Sequence, residues 1–97
     1  FIKVYLSNKK EIKNFYKELK KSKIIPNILI NNATLSFKGN YNTRTQKEIY
    51  YMLSVNMIGI FNMIKNFEKH SSKGSNILNM SLIYGLTNPK LELYIKK

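Results

Sequence analysis

Two short apolar runs in this chain end in small polar residues. Ile28-Leu29-Ile30 runs into Asn31-Asn32-Ala33, and Asn76-Ile77-Leu78 runs through Asn79-Met80 into Ser81. Each reads as a buried parallel strand that opens onto a ligand crevice. A long helical segment lies between them, so the unit reads β-α-β. Parallel strands need such a crossover, because a tight turn cannot join them. In open sheets of this kind ligands sit outside the carboxyl ends of the strands. Here those ends are Asn31-Asn32-Ala33 and Ser81. The fold class is therefore α/β with a parallel sheet.

The rest of the chain fits around that unit. Residues 1–6 place Ile2, Val4 and Leu6 in alternation and predict a strand. Asn8-Lys9-Lys10-Glu11 has capping-box spacing and opens a helix. Ile12, Phe15, Tyr16 and Leu19 then form one apolar stripe. That helix should end near Ser22, since Pro26 excludes helical backbone just before it. Residues 28–33 form the second strand and residues 34–44 a loop. Thr45-Gln46-Lys47-Glu48 repeats the capping box and opens a helix running to about Lys69. Its apolar positions occupy more than one stripe. One side should face the sheet and another a partner chain or an element outside these residues. Residues 70–75 form a polar turn, residues 76–81 the third strand, and residues 85–93 a loop broken by Pro89.

Composition narrows the function classes. The chain has 97 residues, begins with Phe1 rather than Met, and carries no cysteine, so disulfides and thiolate metal sites are excluded. No apolar run reaches spanning length. Seventeen basic residues stand against five acidic ones, a formal net charge of +12. That balance raises a nucleic-acid or other anionic partner. However, Arg44 is the single arginine, and arginine is the usual residue for bidentate phosphate and guanine contacts. The lysines are scattered, with only Lys20, Lys21 and Lys23 tightly clustered. Lys, Asn and Ile are abundant together, as an AT-rich coding sequence would give. The charge therefore reads as composition, without a membrane or nucleic-acid partner. A basic α/β module for nucleic acid or another anionic polymer is the alternative.

The motifs in order resemble the short-chain dehydrogenase/reductase family. They are Asn31-Asn32-Ala33-Thr34, Val55-Asn56-Met57-Ile58-Gly59-Ile60-Phe61 and Ile77-Leu78-Asn79-Met80-Ser81-Leu82-Ile83-Tyr84-Gly85. Each is weak alone, but their order and spacing agree with the family over essentially the whole chain. The opening Val4-Tyr5-Leu6 looks like the family's third strand. The resemblance implies a partial Rossmann-type sheet, a β-α-β-α-β fragment, with residues 1–97 as the central part of one NAD(P)-binding domain. It implies NAD or NADP as cofactor, a small carbonyl or alcohol substrate, cytoplasmic localisation and a homo-oligomer built through helix 45–69. Asn31, Asn32 and Ala33 would lie along the adenosine part of the cofactor. Asn56 and Ser81 would be the catalytic pair, Asn56 supporting a relay water and Ser81 orienting a substrate carbonyl.

The chain also departs from that family. It holds no phosphate-cradling glycine motif, which would belong before Phe1, and no Asp at all. Tyr5 stands where an adenine-contacting Asp is usual, and Thr34 where a glycine follows Asn-Asn-Ala. Leu82 falls where the usual catalytic Ser sits, leaving Ser81 as the first of the pair. The stretch Pro89–Tyr94 looks like a subgroup acting in flagellin and surface-sugar modification, with Tyr94 a loop residue and the catalytic Tyr and Lys further on. The fragment is thus expected to be inactive by itself. If the family's strand order 3-2-1-4-5 holds, residues 1–6 stand apart from the other two strands, which are direct neighbours. The simpler readings are a capped strand end for Asn31 and Asn32, a tolerated mid-helix amide for Asn56, and a satisfied hydroxyl for Ser81. His70, the single histidine, complements a helix C-terminus and makes no metal site.

Overall fold

The computed structural model describes residues 1–82 and 86–88. The stripe Ile12, Phe15, Tyr16, Leu19 becomes the inner face of helix α1, Lys9–Lys21. Asn8 caps it, its Oδ1 accepting from the N–H groups of Lys10 and Glu11 at 3.0 and 3.4 Å. The expected box is altered. Glu11 reaches back to the Asn8 side-chain amide and to the N–H of Tyr5, not to the N–H of Asn8. The Asn8 N–H is already bonded to the Tyr5 carbonyl at 2.9 Å. At the other end Lys23 adopts φ 56°. Its N–H bonds to Lys20 O, and the Ile24 N–H to Leu19 O at 2.9 Å. These two bonds make a Schellman turn, here with a lysine in the left-handed position that glycine usually takes.

Strands β1, Ile28–Asn31, and β2, Asn76–Asn79, pair in parallel with Asn31 opposite Asn79. Both ladders are shorter than the predicted 28–33 and 76–81. The last backbone bond joins the Met80 N–H to Asn31 O at 2.9 Å. Among the described residues the sheet has two strands. Residues 1–6, predicted as a strand, carry no ladder. A strand exists only through a neighbour's N–H and C=O groups, and neither β1 nor β2 runs beside them.

The predicted continuous helix 45–69 is three segments: α2, Gln46–Leu53; a π-helical turn, Ser54–Gly59; and α3, Ile60–His70. The Thr45 capping box forms in full, with the Thr45 N–H on Glu48 Oε2 at 2.8 Å and the Glu48 N–H on Thr45 Oγ1 at 3.2 Å. The axis continues through the π turn, but the residue register shifts there. Asn56, inside this turn, is hydrogen-bonded to Leu35 through both ends of its amide.

The core lies between α1, α3 and β1. Ile12, Tyr16, Leu29 and Phe67 are buried there, with Val4, Leu6, Phe15, Leu19, Met63 and Ile64 packed around them. The Tyr16 hydroxyl donates to Met63 O at 3.2 Å, so its one polar atom is paired. Burial pushes the Tyr16 phenol up to about 12. Gly59 lets residue 6 close in on the helix. A Cβ at that position would stand 2.7 Å from Leu6 O, so the glycine meets a requirement of space rather than of backbone angle. Met57, Ile58 and Phe61 face outward and are more than half exposed. They are the second apolar stripe expected from the sequence.

Candidate active site

The parallel register brings the ends of β1 and β2 to one edge of the sheet. Beyond Asn31 and Asn79 the two chains part, and a crevice of about 400 Å3 opens there. Its lining is Asn32, Ala33, Thr34, Asn56, Ile60, Met80, Ser81 and Leu82. Four of the five predicted site residues therefore meet: Asn32 and Ala33 from the end of β1, Ser81 from the end of β2, and Asn56 from the π turn. That size is at the low end for a small-molecule or cofactor site.

Asn31, the fifth, does not reach this crevice. It lines a smaller neighbouring cleft of about 130 Å3 between β1, Leu6 and α3. It is buried, and its amide donates to Asn79 Oδ1 at 2.7 Å. In a parallel ladder these residues are register partners, so the two side chains meet across the strands. A buried amide must find such a partner, and this one ties the strand ends together just inside the crevice.

Asn56 is held by its backbone neighbour across the loop. Its Oδ1 accepts the Leu35 N–H and its Nδ2 donates to Leu35 O, both at 2.8 Å. The amide thus pairs with residue 35 as a strand neighbour would. It takes both backbone groups of a loop residue and leaves one N–H and one lone pair free. The π turn surrounds it. A turn with one residue too many widens the helix locally, and such turns recur at functional sites. Ser54 adds to the distortion by donating its hydroxyl to Tyr51 O at 2.7 Å.

Leu35 was missed by sequence reasoning, because a backbone partner leaves no mark in residue type. Ile60, Met80 and Leu82 were also not foreseen as crevice walls, where Met80 and Leu82 are 56% and 68% exposed. Their apolar character alone matched ordinary core positions.

The electrostatics of the site are simple. None of its eight lining side chains carries a charge. It offers two amides, of Asn32 and Asn56, and two hydroxyls, of Thr34 and Ser81, as donors and acceptors, and apolar walls between them. It can bind and orient neutral polar groups; it supplies no side chain that titrates near neutrality. Among the described residues no cluster of three His, Cys, Asp or Glu could hold a metal ion. No helix among them is long and apolar enough to cross a membrane. Tyr84, Gly85, Pro89 and Tyr94 lie outside the described residues, so the expectations placed on them have no structural counterpart.

Comparison with known proteins decides the family. The sequence model of the short chain dehydrogenases matches residues 1–94. The chain belongs to the short-chain dehydrogenase family. Solved structures agree. A short chain dehydrogenase from Leptospira borgpetersenii serovar Hardjo-bovis with bound NAD+ is 32% identical, over 95% of this chain and 37% of its own, with a TM-score of 0.84. A Burkholderia cenocepacia short chain dehydrogenase in complex with NADP is 20% identical over 96% of this chain and 39% of its own, TM-score 0.80. Aldohexose dehydrogenase from Thermoplasma acidophilum is 21% identical over 84% of this chain and 33% of its own, TM-score 0.77. The last two speak to the fold alone. No curated protein matches the chain. The chain spans between 33% and 39% of the length of these three relatives. The α/β, partial Rossmann-type reading of the sequence therefore stands. Residues 1–6 stand apart from the two paired strands, as the strand order implied, and the broken helix and the shorter ladders are its corrections.

Proposed function

We propose that residues 1–97 are the central part of a single dinucleotide-binding domain, in an oxidoreductase that moves hydride between NAD or NADP and the carbonyl or hydroxyl carbon of a small molecule. The observation that carries this reading is the crevice at the carboxyl edge of two adjacent parallel strands. In sheets of this type that edge is where nucleotides bind. The donor set suits the neutral parts of a dinucleotide, ribose hydroxyls and amides. It contains no charged group for the pyrophosphate.

In this reading Asn32 and Ala33 contact the adenosine side of the cofactor, and Asn31 keeps the end of β1 in place through Asn79. Asn56 is a positioning residue. It anchors Leu35, and its free N–H and lone pair hold a water facing the crevice. Ser81 donates its hydroxyl to the substrate oxygen. Leu82 beside it has no hydroxyl to share that role. The bound cofactor supplies or takes up the hydride. Cytoplasmic localisation belongs to the same reading. So does assembly with a second copy through residues 45–69, where Tyr50, Leu53, Met57, Ile58 and Phe61 are exposed.

The test is titration of the full-length gene product with NADH and NADPH, followed by cofactor fluorescence. Saturable binding of one of them, weakened by Asn32→Leu, is expected. Binding of neither would overturn the proposal.

A further inference from the structure

The edge of the sheet opposite the crevice has a different character. Helices α1 and α3 each lead into one of two parallel strands, so they run parallel and end at the same, amino edge. Lys20, Lys23, Ile24, Ile25, Lys69 and His70 meet there around an open groove of about 350 Å3. No acidic side chain lines it. Helix-dipole compensation explains Lys20, Lys69 and His70, which lie in the last turns of α1 and α3. It does not explain Lys23, which lies past the end of α1. Nor does it explain the two isoleucines, 54% and 67% exposed. The Schellman turn fixes the chain direction at Lys23, and Pro26 stiffens the exit. The isoleucine pair is therefore presented, with lysines on both sides of it.

We infer that this end of the molecule docks on a membrane surface carrying anionic lipids. Ile24 and Ile25 enter the boundary between headgroups and acyl chains, and Lys20, Lys23 and Lys69 meet the lipid phosphates and carboxylates. An apolar wedge with a cationic rim is the chemistry of interfacial binding. A nucleic-acid surface would call for arginine forks and stacking aromatics, and the groove has neither. No spanning segment is needed, and the inference is independent of the hydride-transfer reading.

The test is co-sedimentation of the full-length gene product with vesicles of phosphatidylcholine, alone or with phosphatidylserine. Binding is expected only with phosphatidylserine. Reversing Lys20, Lys23 and Lys69 to Glu should weaken it about a hundredfold, at roughly fivefold for each lysine. Reversing Lys9, Lys10 and Lys47 changes the net charge equally at the amino ends of α1 and α2, and should leave binding within about twofold. Ile24→Ser with Ile25→Ser changes only exposed side chains and should also weaken binding, which keeps the test valid if the charge-reversed groove variant misfolds. These 97 residues hold no Trp, so the emission that Ile25→Trp adds over the parent protein reports the surroundings of residue 25, and it should move to the blue on phosphatidylserine vesicles. Equal losses in the two lysine sets, no binding to phosphatidylserine vesicles, or tighter binding to a DNA duplex would each overturn the inference.

Discussion

Asn56 closes on Leu35 with both ends of its amide, at 2.8 Å each. The pairing joins a helix to the loop after β1 across 21 residues of sequence, and it makes one wall of the crevice. Asn56→Asp keeps the size but loses the donor, and it sets a carboxylate against the Leu35 carbonyl. Asn56→Ala loses both bonds. Each variant should lower stability by about 1–3 kcal/mol, the usual cost of a part-buried group left unpaired. Amide exchange at Leu35 should quicken in both. Unchanged protection at Leu35 would show that the tether is not formed in solution.

Gly59→Ala tests the contact with Leu6. In an open helix the change would stabilise by about 1 kcal/mol. Here the new methyl would stand 2.7 Å from Leu6 O and 2.9 Å from Leu6 Cβ. The segment before α1 must then move off the helix, and the net effect should be destabilising by about 1–3 kcal/mol. Urea unfolding of the two proteins side by side gives the sign directly.

Tyr16 gives a pH dependence with a definite direction. Its folded-state pKa, raised to about 12 by desolvation, lies above the unfolded value of about 10. Stability contributed by the protonated phenol is therefore complete below pH 10. It is lost as pH climbs from about 10 to about 12, by up to roughly 2 kcal/mol. The difference from Tyr16→Phe at each pH isolates the effect. That variant should be less stable by about 1 kcal/mol at neutral pH, through the lost bond to Met63. The gap should close by about pH 11 and reverse toward pH 12, leaving Tyr16→Phe the more stable of the two.

Thr45→Ala removes the cap of α2 and should cost about 1 kcal/mol. Thr45 also holds the Glu48 carboxyl below its usual range, first through its backbone N–H, then through its hydroxyl, with Arg44 adding a smaller attraction. The stabilising contribution of Glu48 is present above the unfolded carboxylate range and fades as pH falls through its lowered pKa. Carboxyl titration followed by NMR should show the Glu48 midpoint moving up in Thr45→Ala, and only partly, since the backbone bond is the larger cause.

The uncharged crevice predicts the behaviour of the 97-residue chain alone. Without a charged or glycine-loop seat for the pyrophosphate, it should bind neither NADH nor NADPH measurably. Calorimetric titration reaching micromolar affinity with either would contradict the assignment of pyrophosphate binding to elements other than these.

How far the chain could be read in advance follows the range of the forces involved. The β1 run and the stripe of α1 depend on nearby residue types and appear in place, while both strands end two residues before the positions read for them. The split of the second helix was not legible. Ser54, Val55 and Asn56 are all tolerated in helices, and the π turn accompanies a tether to Leu35, which is distant in sequence. Residues 1–6 alternate like a strand, but pairing is a property of two segments, and periodicity describes one. The altered box at Asn8 has the same kind of cause: the Tyr5 carbonyl had already taken the N–H that Glu11 was expected to find. At the crevice, Asn32, Ala33 and Ser81 could be anticipated from the strand ends, whereas the Leu35 backbone that holds Asn56 could not.

The π turn also fixes how this helix can change over time. Each residue of an ordinary α-helix advances the chain by about 100° around the axis. In a π turn the step per residue is smaller, so one extra residue is taken up with little net rotation. Deleting one residue between Ser54 and Gly59 would therefore restore ordinary helix and leave the outward faces of α2 and α3 near their present directions. A deletion between Asn56 and Gly59 would instead be felt locally: it would change the spacing between the residue that holds Leu35 and the residue that lies against Leu6. The turn thus keeps a spare residue in reserve: a change of length that elsewhere would swing half of the helix is here confined to a single turn.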